Sequence, residues 1–174
     1  MIRFMILFLL VTPLGLVTTA DETIYLPTPY TAEQIRKAAK EPVEAISKTT
    51  TLEGVTYALS TISVASDGMA LFTQQDLDTN LNPVGDAITG SAAWEALREH
   101  ALFPKDRATR ERLVLETAIG ELGGWIYRVK GEEDTISEFF FADAFPGPPV
   151  VYLKQKAGQT ILRVEQIERR RPES

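Results

Sequence analysis

Between residues 112 and 168 the sequence breaks into five short runs rich in apolar, aromatic and β-branched residues, and tight-turn signals separate most of them. The runs predict strands near 112–117, 122–130, 135–142, 150–156 and 160–168. Gly131-Glu132-Glu133-Asp134 and Ala157-Gly158 stand between neighbouring runs, and links this short join antiparallel strands. Pro146-Gly147-Pro148-Pro149 makes a stiff corner, because proline has no N–H to give to a ladder and cannot sit inside a central strand.

The first half carries weaker signals of the same kind. Thr31 with Gln34 three residues on matches a capping box and predicts a helix over 32–40 that stops before Pro42. A strand is expected over 43–51. Val55, Tyr57 and Leu59 alternate, as do Ile62 and Val64, but the two sets are out of phase, which predicts a bulge or break near Ser60. Asp67-Gly68 is a two-residue hairpin signal ahead of a run over 69–75. Asn80 to Asn82 reads as a turn, leading through Pro83 to a short strand ending near Thr89. Ser91 is placed to cap a second helix over 92–102, with Trp94, Leu97 and Ala101 on one face. Phe103-Pro104 closes that helix. These elements add up to an α+β domain: a mostly antiparallel, curved sheet of about seven to nine short strands with two short α-helices packed on it.

Residues 1–20 read as a cleavable export signal. Arg3 precedes a 14-residue apolar run, and Thr18 and Ala20 are small residues at the −3 and −1 positions of a cut. The run is shorter than the ~20 residues a spanning helix needs. The expected organisation is a signal at 1–20, an extended lead-in at 21–29, one domain over 30–169 and a basic, polar tail at 170–174. Removing 20 of the 174 residues leaves 154, enough for one ordinary core. The chain has no cysteine, which excludes disulfides, thiolate metal sites, a cysteine nucleophile and a lipidated cysteine. The product is therefore expected to be periplasmic or secreted, with no stable membrane anchor after cleavage. Losing Arg3 leaves 17 of 18 basic residues against 24 acidic ones and takes the charge from −6 to −7. That balance argues against nucleic acid as a partner. The Arg169-Arg170-Arg171 cluster reads as part of a solvated tail.

Catalytic sets are not apparent. His100 is the only histidine, there is no Gly-x-Ser-x-Gly elbow or Ser-x-x-Lys, and Gly120 to Gly124 lacks a phosphate-cradle spacing. Asp76, Asp78, Asn80 and Asn82 suit turn chemistry better than a calcium loop, since Leu81 and Ala87 occupy the positions that would need Gly and Glu. No catalytic residue, metal ligand or cofactor is assigned. The aromatics are more suggestive. Trp125, Tyr127 and Val129 share one face of their strand, and Thr135, Ser137, Phe139 and Phe141 share one face of the next. Ile126, Ile136 and Phe140 make the opposite face apolar as well, so that face also needs a cover: the sheet closing on itself, a partner, or an apolar ligand. Trp94, Trp125, Tyr127, Phe139 and Phe141 are the candidate ligand-binding residues, with ordinary core packing as the competing role.

Three phrases carry a resemblance: Tyr30-Thr31-Ala32-Glu33-Gln34-Ile35-Arg36, Trp94-Glu95-Ala96-Leu97-Arg98-Glu99-His100-Ala101-Leu102-Phe103-Pro104, and Phe140-Phe141-Ala142-Asp143-Ala144-Phe145-Pro146-Gly147-Pro148-Pro149-Val150. Together with the segment from Gly120 to Tyr127, they resemble a family of small exported bacterial proteins with no assigned activity, and the inferred sheet looks like the open half-barrels of periplasmic lipoprotein carriers. The resemblance implies an envelope protein and hands over no site residues. The expected function is a non-enzymatic binding or carrier domain of the bacterial envelope, for an apolar small molecule or a protein segment. The alternatives are an interaction module of an envelope complex and a hydrolase working through carboxylates alone.

Overall fold

The computed structural model describes residues 24–171. The expected export signal at 1–20 and the end of the tail at 172–174 lie outside the described residues. The elements run α1 Ala32–Ala39, β1 Glu44–Thr51, β2 Gly54–Val64, β3 Met69–Leu77, β4 Ile88–Ala93, α2 Trp94–Glu99, β5 Ala108–Thr117, β6 Gly120–Lys130, β7 Thr135–Ala142, β8 Val151–Lys156 and β9 Gln159–Arg170. The strands form one open, curved sheet in the order β4-β3-β2-β1-β9-β8-β7-β6-β5, and every neighbouring pair is antiparallel. The α+β expectation of a mostly antiparallel sheet with two short helices is met.

Two meanders build this sheet. β1 to β4 form one and β5 to β9 the other, and they meet where β1 pairs with β9, from Glu44 opposite Arg170 to Thr51 opposite Leu162. α1 begins as its capping box requires: Gln34 N–H donates to Thr31 Oγ1 at 3.2 Å, and Thr31 N–H donates to Gln34 Oε1 at 2.8 Å. Ile35 and Ala39, four residues apart, bury its inner face. The extended lead-in is tied down. Leu26 N–H donates to the Phe103 carbonyl and Lys105 N–H to the Ile24 carbonyl, both at 2.9 Å, around a bridge between Tyr25 and Pro104.

Several local expectations need correction. β2 is one continuous strand with no register shift against β1 or β3. Its apolar residues change faces because Val55, Tyr57 and Leu59 point to one side while Ala58, Ser60 and Ile62 line the other. The irregularities fall instead in β9's pairings, at Ile46/Ser47 and Lys154/Gln155. Asp67-Gly68 do centre the β2–β3 turn, with Met69 N–H donating to the Ser66 carbonyl at 3.3 Å. Neither has positive φ, so the turn is not the mirror-image type that the Asp-Gly pair suggests. Ala157 and Gly158, with φ of 49° and 78°, do form such a turn. Ser91 does not cap α2. It lies within β4, which stays paired with β3 through Ala93 opposite Met69, and the helix starts at Trp94 without a side-chain cap. The β3–β4 ladder occupies the backbone groups that a cap at Ser91 would need. Arg169 and Arg170 belong to β9 and not to a solvated tail.

Around β6, β7 and β8 both faces carry a cluster packed from within the chain, while Val55, Leu71 and Ile136 stay exposed elsewhere on the sheet. On one, α1 and α2 pack with Tyr30, Trp94, Phe103, Tyr127 and Phe141. On the other, the outer part of the β5–β6 hairpin folds back, so that Leu113, Leu115, Ile119 and Leu122 cover Ile126, Phe140, Val150 and Val151. The hairpin tip reaches β9, where Ala118 N–H donates to Glu165 Oε1 at 3.2 Å. The fold-back passes Gly123-Gly124. A Cβ on Gly124 would collide with the backbone carbonyl oxygen of Phe141, whereas one on Gly123 would meet only Asp143 Oδ2 at an ordinary 3.7 Å. Gly124→Ala is therefore expected to lower unfolding free energy by about 1–3 kcal/mol, the cost of overpacking against unyielding backbone. Gly123→Ala is expected to be neutral or to stabilise by up to about 1 kcal/mol. Urea titration of both variants checks the contrast, and equal losses would contradict the close approach.

Candidate functional site

A connected series of aromatic rings occupies the helix face. Tyr152 stacks on Phe139 with centroids 4.7 Å apart, Phe139 on Phe103 at 4.9 Å, and Phe103 meets Tyr127 at 5.0 Å. Tyr127 and Tyr30 then approach Phe141 edge-on, at 5.6 and 6.1 Å. The register makes this possible: Trp125 lies opposite Phe141, Tyr127 opposite Phe139, and Phe139 opposite Tyr152. The two aromatic rows inferred from the sequence are thus adjacent. Sequence reasoning missed Tyr30, Phe103 and Tyr152. Tyr30 and Phe103 flank the two helices and read only as boundary residues, and Tyr152 is the one aromatic of its own strand.

Two clefts adjoin this series. The first, of about 280 Å³, lies between α1, α2 and the proline corner, with Tyr30, Ile62, Leu97, Phe139 and Phe141 on its walls. The second, of about 290 Å³, runs on across β1, β2, β3, β8 and β9 and has small residues, Ala45, Ser47, Ala58 and Ser60, along its floor. Ile35, Ile62, Phe139, Pro148 and Pro149 line both, so the two adjoin and together make the groove of this face. Each cleft falls just below the ~300 Å³ at which ordinary small-molecule sites begin. The exposed lining is predominantly apolar; Arg98 and His100 also line the first cleft, and Ser60, Thr61, Thr73, Gln74, Glu41, Gln166 and Arg169 also line the second.

The five sequence candidates divide. Phe139 lines both clefts and Phe141 lines the first, while Trp94, Trp125 and Tyr127 line neither. Trp94 is buried where α2 leaves β4, its indole N–H donating to the Ser66 carbonyl at 3.4 Å. Trp125 lies under Arg110, whose guanidinium carbon is 3.6 Å from the ring centroid, a cation–π contact. Tyr127 is wholly buried, and its hydroxyl donates to the Pro27 carbonyl at 2.6 Å, joined there by Arg110 Nη1 at 3.1 Å. These two side chains hold the lead-in against the sheet. Burial raises the Tyr127 pKa, against an opposing pull from Arg110. Burial also raises that of Tyr30, helped by the Asp143 carboxylate, and the Tyr30 hydroxyl donates to the Ala142 carbonyl at 2.5 Å.

The acidic stretches have structural partners. Asp78 accepts from the N–H groups of Asn80 and Asn82 at 2.8 and 2.9 Å, the turn chemistry expected there, and these bonds hold its carboxyl below the usual range. Glu132, Glu133 and Asp134 are exposed in the β6–β7 turn. Among the described residues, no group of three or more His, Asp or Glu side chains is arranged to hold a metal ion, and no helix is long and apolar enough to cross a membrane.

No family model matches the chain, and no curated protein matches it significantly. Its fold is similar to solved structures. The structure of MucB in complex with MucA(peri) superposes with a TM-score of 0.56 at 11% identity, over 80% of this chain and 54% of that one. The MucA/MucB complex of Pseudomonas aeruginosa gives 0.54 at 12% identity, over 82% and 56%. An uncharacterised conserved protein from Thermus thermophilus gives 0.50 at 13% identity, over 82% and 85%. The chain thus spans little more than half the length of the MucB chains.

Tyr30 yields a pH prediction. In the folded state its proton is held above the unfolded value near 10, so its contribution is complete below pH ~10 and is lost as pH rises further. Unfolding free energy is expected to fall above pH 10, by up to about 1.4 kcal/mol per pH unit for each proton retained in the fold. Tyr30→Phe should be less stable at neutral pH yet show a shallower alkaline limb. Urea unfolding from pH 8 to 11 measures both, and parallel limbs would refute the assignment.

Proposed function

We propose that the chain is a non-catalytic binding domain of the bacterial envelope, and that the groove on its helix face receives an apolar guest. The observation behind this reading is the pair of adjoining apolar clefts, both of which Phe139 lines. A guest here would remove apolar surface from water at about 25 cal/mol per Å². The expected export signal supports the location. The exposed surface of the groove is mainly apolar, which suits retention of a guest more than its chemical conversion.

A second reading, an interaction module that binds a protein segment, is supported by the fold's likeness to MucB as solved with MucA(peri). Under that reading the partner would contact the sheet or its edges, and the groove could be filled without effect.

The two separate in one titration. A neutral naphthylamine dye, N-phenyl-1-naphthylamine, is expected to brighten on entering the groove of the chain from Asp21 onward. Ser60→Trp, which places an indole on the groove floor, is expected to weaken dye binding at least ~10-fold while leaving the circular-dichroism melt near wild type. Neither tryptophan lines the groove, so intrinsic emission is the poorer readout. Absence of dye binding, or binding indifferent to Ser60→Trp, would overturn the groove reading.

A further inference from the structure

One charged group in the groove wall has no carboxylate within ion-pair distance among the described residues. Arg169 stands on β9 opposite Ala45 and lines the second cleft with it. Its Nη1 donates to Gln166 Oε1 at 2.6 Å, and its guanidinium carbon lies 4.3 Å from the centroid of the Phe145 ring. Gln166 is itself fixed, its Nε2 donating to the Pro149 carbonyl at 3.3 Å. Neutral groups therefore hold the guanidinium in place, and it has no carboxylate partner among the described residues. The local carboxylates are engaged by the next two arginines: Glu44 by Arg170 at 2.8 Å and Glu41 by Arg171 at 3.4 Å. Glu41 is the single carboxylate among the residues lining this cleft. Arg169 is half-buried, and this burial lowers its pKa despite an opposing influence from Tyr30.

A cation withdrawn from water without a counter-charge is unfavourable unless something later supplies one. Arginine suits such a position, being weakly hydrated and presenting a planar fork that fits a carboxylate in two parallel hydrogen bonds. Next to it run the small floor residues and the apolar walls that the groove reading requires. We propose that Arg169 anchors the head of a long-chain carboxylate, with the alkyl chain lying along the groove over Ala45, Ala58 and Ser60 toward Phe139. This inference rests on the groove reading and names its ligand class. One guanidinium balances one negative charge, and a floor of small side chains leaves a trough suited to a single chain.

The test compares dodecanoate with dodecanol as displacers of the naphthylamine dye at pH 8, below the micelle concentration, for the wild type, Arg169→Gln and Arg169→Lys. Dodecanoate is expected to bind the wild type about tenfold more tightly than dodecanol, as a charge-assisted, two-pronged contact would give. Arg169→Gln should abolish that preference while retaining dye and dodecanol binding, which also shows that the variant is folded. Arg169→Lys should keep part of the preference. Equal affinities in the wild type, or a preference that survives Arg169→Gln, would overturn the anchor and leave the groove reading intact. Failure of the wild type to bind dye or either amphiphile would overturn both. Displacement by an apolar peptide with a free C-terminal carboxylate at lower concentration than dodecanoate would overturn the lipid assignment in favour of a protein tail.

Discussion

A sheet with large apolar side chains on both faces must have both removed from water, and most of this architecture answers that requirement. Phe140 and Ile126 point one way, Phe139, Phe141 and Tyr127 the other. The second face is covered by α1, α2 and the segments that flank them. The first is covered by the sheet's own β5–β6 hairpin, which folds back until its tip meets Glu165. The fold-back depends on a place where β6 and β7 approach too closely for any side chain, and Gly124 supplies it. A methyl group there would strain the contact that lets one face be sealed without a partner.

The two covers differ in completeness, and the groove follows from that difference. The hairpin lies flat on its face. The helices are short, eight and six residues, and over the centre of the sheet the cleft is walled by Ile35, Ala38 and Ala39 of α1 and by the proline corner. Across β1, β2 and β9 the side chains beneath that cleft are small, so the space is not filled. Arg169 lies at the margin of this cleft, where α1 ends and the corner turns.

Much of this was legible in the sequence. The β7 bounds match the expected run, the turns at Gly131 to Asp134 and at Ala157-Gly158 lie where expected, and the Thr31–Gln34 box starts α1. Each rests on local chemistry: a side chain bonding its own backbone, or a turn that demands positive φ. What could not be read depends on contacts between distant residues. The phase change in β2 suggests a bulge only if all its apolar residues must share one face, and here Tyr57 and Leu59 stand half-buried, and Val55 exposed, on the face away from the groove. Ser91 looks like a helix cap until β3 claims its backbone. Of the candidate site residues, Phe139 and Phe141 reach the groove, whereas Trp94, Trp125 and Tyr127 are engaged by Ser66, Arg110 and Pro27. Those partners lie 28, 15 and 100 residues away in the chain, beyond what periodicity conveys. Three consecutive arginines near a terminus look solvated, and only the β1–β9 ladder places Arg169 in the sheet.

That ladder has a further consequence. Glu44 and Arg170, 126 residues apart, carry one of its ion pairs, and the two meanders have no other strand pairing between them. Loop closure over such a span must precede any gain from the contacts it enables, and sheets built this way fold slowly. Until β9 is complete, β1 presents an open edge and the groove has no far wall. A chain that cannot finish its sheet until its last strand pairs keeps that edge open to other strands for longer.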